Sequence, residues 1–249
     1  MTPDVSVVLP AKDEAGNIVP LLCGIAAVLQ DHPHEIIVVD DASIDRTRQE
    51  LAALQTSLPQ LRVICHDRSC GQSAAIRSGV LAARGKLIAT LDADGQNPPE
   101  NLPALLAPFQ QGVPFLGLVQ GQRVGRRDHW TRRLASRLAN RIRARLLRDG
   151  VQDSGCGLKA FPREVYLALP FFDHIHRFMP AMIAREGLEV LTIPVTHARR
   201  AFGRSKYSNL QRALVGIVDL LGAAWLIRRR SLPQVQELPR AARDMRGAA

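Results

Sequence analysis

The sequence predicts an α/β fold: a mostly parallel sheet flanked by helices. Three observations carry that prediction. Short β-branched runs alternate with stretches of helical period. The strand runs are apolar almost throughout, as in a sheet covered on both faces. The first four of them each end in a polar cluster.

Strands are predicted at residues 5–9, 35–39, 61–65, 87–91 and 116–121, with helices at 17–29, 45–55, 72–83 and 100–110. The first run, Val5-Ser6-Val7-Val8-Leu9, is too short for a signal peptide and leads straight into polar residues, so it reads as a strand. The polar strand ends are Pro10-Ala11-Lys12-Asp13-Glu14, Asp40-Asp41, His66-Asp67 and Asp92-Ala93-Asp94. Ligands of open α/β sheets bind beyond the carboxyl ends of the strands, so these clusters are expected to meet at one crevice.

Past Gly121 the character changes. From Arg123 to Arg148 there are ten arginines and no lysine, with Asp128 the only acid. Residues 130–147 have helical spacing, with Leu134, Leu138, Ile142 and Leu146 on one face. A Gly-rich loop follows at 153–159, a strand at 189–194 and a basic loop at 199–208. Residues 210–226 are strongly apolar around Asp219 and run into Arg228-Arg229-Arg230, and 231–249 read as a frayed tail.

Composition narrows the function classes. The 249 residues hold 33 Lys+Arg against 23 Asp+Glu, a net charge of +10, and 46% are hydrophobic, which excludes a disordered basic tail. No uninterrupted apolar stretch reaches the ~18–20 residues of a bilayer span, so a polytopic membrane protein is not expected. The charge favours an anionic partner: nucleic acid, nucleotide phosphate or acidic lipid. With aromatics at 4% there is little stacking surface for single strands, and nucleic acid is not expected. Cys23, Cys65, Cys70 and Cys156 form no CxxC pair; Cys23 and Cys65 fall in apolar-periodic segments and are expected as buried free thiols in a reducing, cytoplasmic setting.

The sharpest feature is Leu91-Asp92-Ala93-Asp94-Gly95-Gln96. A buried strand delivers two carboxylates one residue apart, and a turn at Ala93 brings both to one point. Oxygen-only ligands with open positions suit Mg²⁺ or Mn²⁺, and Gln96 offers a further oxygen. The alternative is a solvated acidic turn capping the helix after Pro98-Pro99. Asp41, at the second strand end, is placed to accept from a base N–H or a ribose hydroxyl, or else Asp40 or Ser43 caps the next helix. No G-x-G-x-x-G follows the first strand, which argues against a dinucleotide site. Arg200, Arg204 and Lys206 stand among Gly203 and Ser205 as in a phosphate-gripping loop, or as a solvated one. His174 and His176 have no third ligand nearby and are not read as a metal site.

In order, P-A-K-D-E, V-V-D-D-A-S, G-Q-S-A-A-I-R-S-G, L-D-A-D-G-Q-N-P-P-E, D-S-G-C-G-L-K and R-A-F-G-R-S-K-Y resemble the polyprenyl-phosphate glycosyltransferases, the dolichol-phosphate-mannose-synthase-like members of glycosyltransferase family 2. The resemblance spans residues 5–230. It implies a GT-A fold, an inverting mechanism, a divalent metal, a GDP- or UDP-linked sugar donor and a polyprenyl phosphate acceptor. It implies that Asp92, Asp94 and Gln96 bind the metal, with Ala93 along the donor. By the same resemblance Pro10, Glu14 and Asp41 contact the nucleotide; Arg123, Arg200 and Lys206 hold the phosphates; and Asp153, Gly157 and Lys159 belong to the loop closing the sugar side. Lys12 stands where the family usually has an aromatic, and the loop more often read S-G-F-R here reads Ser154-Gly155-Cys156-Gly157-Leu158-Lys159.

The domain expectation is a catalytic domain at 1–209, an amphipathic interfacial helix at 210–230 and a flexible basic tail at 231–249. That helix reads either as a core helix or as one lying on an anionic membrane surface, and the resemblance favours peripheral attachment at the cytoplasmic face, with or without a membrane partner subunit. Two other readings stand beside this one: a family relative with a different acceptor, and a non-catalytic basic adaptor for lipid or nucleic acid.

Overall fold

A computed structural model describes residues 3–124, 146–147, 149–151, 153–198, 209–231, 233 and 236. The predicted helix at 130–147, apart from its last two residues, and the basic loop at 199–208 lie outside the described residues.

The elements run β1 (Val5–Ala11), α1 (Ile18–Val28), β2 (His34–Asp40), α2 (Thr47–Gln55), β3 (Leu61–Cys65), α3 (Gln72–Ala82), β4 (Leu87–Thr90), α4 (Leu102–Gln110), β5 (Leu116–Arg123), β6 (Lys159–Pro162), α5 (Arg163–Ala168), α6 (Ile175–Arg185), β7 (Glu189–Val195) and α7 (Asn209–Arg228). The five strands and four helices predicted in the first half are all present. The sheet order is β3-β2-β1-β4-β6-β5-β7. β6 is antiparallel to both β4 and β5, and every other pairing is parallel.

The continuous apolar runs are explained by a core on each side of the sheet. Val7, Leu9, Ile36 and Val38 point into one, with Ile18, Leu22, Ile25, Leu51 and Leu105 from α1, α2 and α4. Val8, Ile37 and Val39 point into the other, with Val80, Phe161, Met179, Ile183 and Ala223 from α3, β6, α6 and α7. Alternate residues of one strand thus serve opposite cores, and neither face is left for water. The order reverses between β1 and β4, so Pro10 and Asp92 sit at a topological switch point.

The thiols correct one expectation. All four cysteines are free, but Cys23 and Cys65 are exposed and only Cys156 is buried. Cys23 lies between the core positions of α1, and Cys65 ends β3, the edge strand.

Candidate active site

Loops after β1 and β2 are laced together by side chains on backbone amides. The N–H of Asp13 donates to Ser43 Oγ at 2.9 Å, of Glu14 to Thr47 Oγ1 at 2.8 Å, of Ala15 to Asp45 at 3.2 Å and of Gly16 to Glu50 at 2.9 Å. In return Asp13 Oδ1 accepts from the Ile44 N–H at 2.8 Å. The fully buried Asp40 carboxylate accepts from the Ser43 N–H and from Arg48, so it fixes the turn leading to α2. Glu14 accepts from the Asn17 side chain at 2.9 Å at the start of α1.

Asp41 is bound from both oxygens. Oδ1 accepts from the Cys70 N–H and from His66 Nδ1, and Oδ2 from Ser69 Oγ and the Gly71 N–H, all within 2.9 Å. Burial acts to raise this carboxyl, but the four hydrogen bonds override it and hold the pKa at about 2. The bonds pin residues 69–71, and Gly71, at φ +86°, turns the chain into α3 in a conformation that favours glycine.

The first turn of α3 then reaches the acidic motif. Gln72 Nε2 donates to Asp92 Oδ1 at 2.7 Å, and Asn97 donates weakly to Oδ2 at 3.4 Å. Burial pushes the Asp92 carboxyl up and Asp94 beside it adds to the push, while Lys159, Arg123 and Asn97 pull down. Asp94 accepts from the Gln96 N–H at 3.1 Å, and Ala93 is buried between the two acids. The Gln96 carbonyl accepts from the Ala198 N–H at 2.9 Å, which brings the end of β7 to the motif.

The opposite wall is the loop at 153–158. Arg123 and Asp153 form a bidentate pair, Nε to Oδ2 and Nη2 to Oδ1, both at 2.7 Å. That pair raises the Arg123 pKa. The buried Gln120 amide donates to the carbonyls of Asp153 and Cys156 at 3.3 and 3.2 Å, and Thr90 Oγ1 donates to the Gly157 carbonyl at 2.8 Å. Lys159, buried, donates to the Cys156 carbonyl, and desolvation lowers its pKa. A cavity of about 330 Å³ opens between the walls, bounded by Pro10, Gln72, Asp92, Lys159, His176 and Arg177.

Of the predicted residues, the structure therefore gathers Pro10, Asp92, Gly157 and Lys159 around one cavity, with Ala93, Asp94 and Gln96 in the adjoining motif and Arg123 behind it on Asp153. Glu14 and Asp41 hold loops at the neighbouring strand ends. Arg200, Ser205 and Lys206 lie outside the described residues. Sequence reasoning missed the cavity roles of Gln72, His176 and Arg177. Gln72 and Ser73 stand in the Gly71 motif that opens α3, which was the one available signal; for His176 there was none beyond its dismissal as a metal ligand.

A divalent cation fits this donor set. Two adjacent carboxylates, one of them disfavoured as an anion by burial and by its neighbour, are a hard-oxygen site that gains from a positive charge.

Residues 6–169 match the model of the family described as glycosyl transferase family 2. A dodecaprenyl-phosphate galacturonate synthase of Rhizobium johnstonii is 32% identical over 244 residues, covering 92% of this chain and 69% of that protein. Among solved structures, the glucosyl-3-phosphoglycerate synthase of Mycobacterium tuberculosis, in complex with Mn²⁺, UDP-glucose and phosphoglyceric acid, superposes with a TM-score of 0.71 at 22% identity, covering 90% of this chain and 80% of that one. A mannosyltransferase of Pyrobaculum calidifontis in complex with GDP-mannose and Mn²⁺ gives 0.65 at 23% identity, covering 94% and 66%. These likenesses establish the GT-A form of the sheet and its flanking helices.

Proposed function

The chain belongs to glycosyl transferase family 2 and is a glycosyltransferase; from that premise we propose that it moves a sugar from a UDP- or GDP-linked donor to a polyprenyl phosphate, with inversion, at a membrane surface. The observation that carries the reading is the Asp92–Asp94 pair at the switch point, with Asp92 and Lys159 lining one cavity and the charge of Arg123 acting on Asp92 from behind it. The named relative at 32% identity supports the polyprenyl phosphate acceptor.

Asp92, Asp94 and Gln96 would hold Mg²⁺ or Mn²⁺. Bound there, the cation supplies charge neutralisation for the donor's diphosphate. Pro10, Glu14 and Asp41 border the nucleotide end, where the laced loops after β1 and β2 form a rigid rim. Arg123, oriented by Asp153, places positive potential behind Asp92, and Arg200 and Lys206 are assigned to the departing diphosphate. A phosphate oxygen of the acceptor forms the new bond to the anomeric carbon as the bond to the diphosphate oxygen breaks on the opposite face; the electron pair leaves with the nucleotide. An acceptor phosphate is ionised near neutral pH, so no strong general base is required. Positive side chains act on the leaving group, whose negative charge grows in the transition state.

Membrane attachment is assigned to α7. Among the described residues no helix is long and apolar enough to cross a membrane. Yet α7 is apolar on two sides: Ala223 and Ala224 are buried, while Ile217, Val218, Leu221 and Trp225 share an exposed face, Val218 at 70% and Leu221 at 60%. Arg228 and Arg229 adjoin it, with the Arg229 guanidinium 5.7 Å from the Trp225 ring. An apolar face with flanking cations suits an anionic interface, and we assign it to the cytoplasmic leaflet.

The decisive experiment incubates the full chain with Mn²⁺, a panel of UDP- and GDP-sugars and polyprenyl phosphate in vesicles. Formation of a glycosylated lipid phosphate is expected. Hydrolysis or transfer only to soluble acceptors would move the chain to a different branch of the family.

A further inference from the structure

His176 sits on the first turn of α6, 103 residues from Ser73, yet its Nδ1 lies 2.7 Å from Ser73 Oγ. Ser73 is fully buried on the first turn of α3, next to the residue that holds Asp92. The same Oγ accepts the His176 backbone N–H at 3.5 Å, which leaves its own proton available for donation to Nδ1. With that donation the ring proton resides on Nε2, a nitrogen given no hydrogen-bond partner among the described residues, on a side chain that lines the cavity. Burial and the neighbouring cations Lys159 and Arg177 keep the imidazole neutral.

We propose, resting on the glycosyl-transfer reading, that His176 is a sugar-specificity residue: Ser73 fixes its tautomer so that Nε2–H donates to an oxygen of the sugar being transferred, a hydroxyl or a carboxylate. The geometry suits that task. Asp92 and His176 line the same cavity and are held by adjacent residues of α3, Gln72 and Ser73, so a sugar attached to a diphosphate beside Asp92 shares that space with the ring. A neutral donor binds a sugar oxygen without competing with the nearby cations for the diphosphate. Lys159 is turned away to the Cys156 carbonyl, and the imidazole, beside Arg177, offers the cavity a neutral donor.

The test compares His176→Gln, whose amide nitrogen reaches the place of Nε2, with His176→Asn, whose nitrogen reaches only the place of Nδ1. Each variant of the full chain is titrated in Mn²⁺ with the nucleotide alone and with its sugars: UDP against UDP-glucose and UDP-galacturonate, and GDP against GDP-mannose. His176→Asn is expected to bind the nucleotide as the wild type does and to lose about tenfold for the nucleotide sugar, the size of one hydrogen bond. His176→Gln is expected to stay within about threefold of wild type. Ser73→Ala, which frees the tautomer, is expected to show the same selective loss at a smaller size. Whichever sugar shows the larger loss identifies a hydroxyl or a carboxylate as the partner. If both His176 variants bind nucleotide sugar like the wild type, or lose nucleotide and nucleotide sugar by the same factor, the inference is overturned while glycosyl transfer stands. A wild type that binds neither series and transfers nothing overturns the glycosyl-transfer reading, and this assignment with it.

Discussion

The Asp92 carboxylate lies directly against the backbone of Gly157: a Cβ built on that glycine would stand 2.3 Å from Asp92 Oδ2 and 2.4 Å from Cγ. The loop at 153–158 and the acidic motif are therefore one unit, and any side chain at position 157 displaces the carboxylate that the mechanism needs.

Gly157→Ala is expected to fold, because the cavity beside it gives Asp92 room to rotate away, but to lose about a hundredfold in transfer rate, the usual consequence of an ångström-scale misplacement. Steady-state kinetics with a thermal melt on the same sample separates the two effects. Wild-type rates in this variant would contradict the assigned role of Asp92.

Asp92→Asn and Asp94→Asn are expected to remain folded and inactive. Each removes a like-charge repulsion in the free protein, so melting without metal is unchanged or slightly higher. Added Mn²⁺ raises the melting temperature of the wild type by preferential binding to the folded state, and this rise is absent in both variants. A full Mn²⁺ shift in either would place the cation elsewhere.

Asp41 makes acid stability a readout of its loop. Its folded pKa of about 2 lies below the ordinary 3.8, so the stabilisation is fully present above pH 4 and is lost as pH falls from there toward 2. The size is about 2 kcal/mol, from the difference of the two values. Denaturant melts between pH 6 and 3 are expected to show a flatter pH dependence in Asp41→Asn than in the wild type. Parallel curves would mean that the four hydrogen bonds do not hold the carboxylate in solution.

For α7, the double change Leu221→Glu with Trp225→Glu is expected to weaken binding to anionic vesicles about tenfold or more. Both side chains are more than half exposed, so the melting temperature is expected to stay within a degree or two. Co-sedimentation measures the first and calorimetry the second. Equal sedimentation of variant and wild type removes this face from the membrane contact.

Asp219 interrupts the apolar run of α7 for a local reason: its Oδ2 lies 2.9 Å from His174 Nδ1, on the turn that carries His176. Asp219→Ala is expected to cost about 0.5–1 kcal/mol, as for partly exposed pairs. Chemical denaturation checks this.

Much of the molecule was legible in its residues. The alternation of β-branched runs and helical periods determined β1 to β5 and α1 to α4, because the central strands are buried on both faces, the edge strand β3 in part, and each helix on one. The spacing of Asp92 and Asp94 at a strand end determined where the acidic centre lies, since a sheet of this kind exposes ligands only there. β6 was not legible: four residues beginning with Lys159 and ending in Pro162 have no strand pattern, and they pair because β4 and β5 leave a gap of one strand between them. The helix α6, with Pro180 inside it, was equally unmarked. Nor does local sequence distinguish Asp40, which locks a turn, from Asp41, which pins another loop. Only the tertiary structure decided that Ser73 meets His176, that Gln72 meets Asp92, and that Gly157 yields its side-chain space to a carboxylate. Those relationships join segments 20 to 103 residues apart, and such distances are set by the packing of the whole sheet, not by any pattern a local stretch of chain can express.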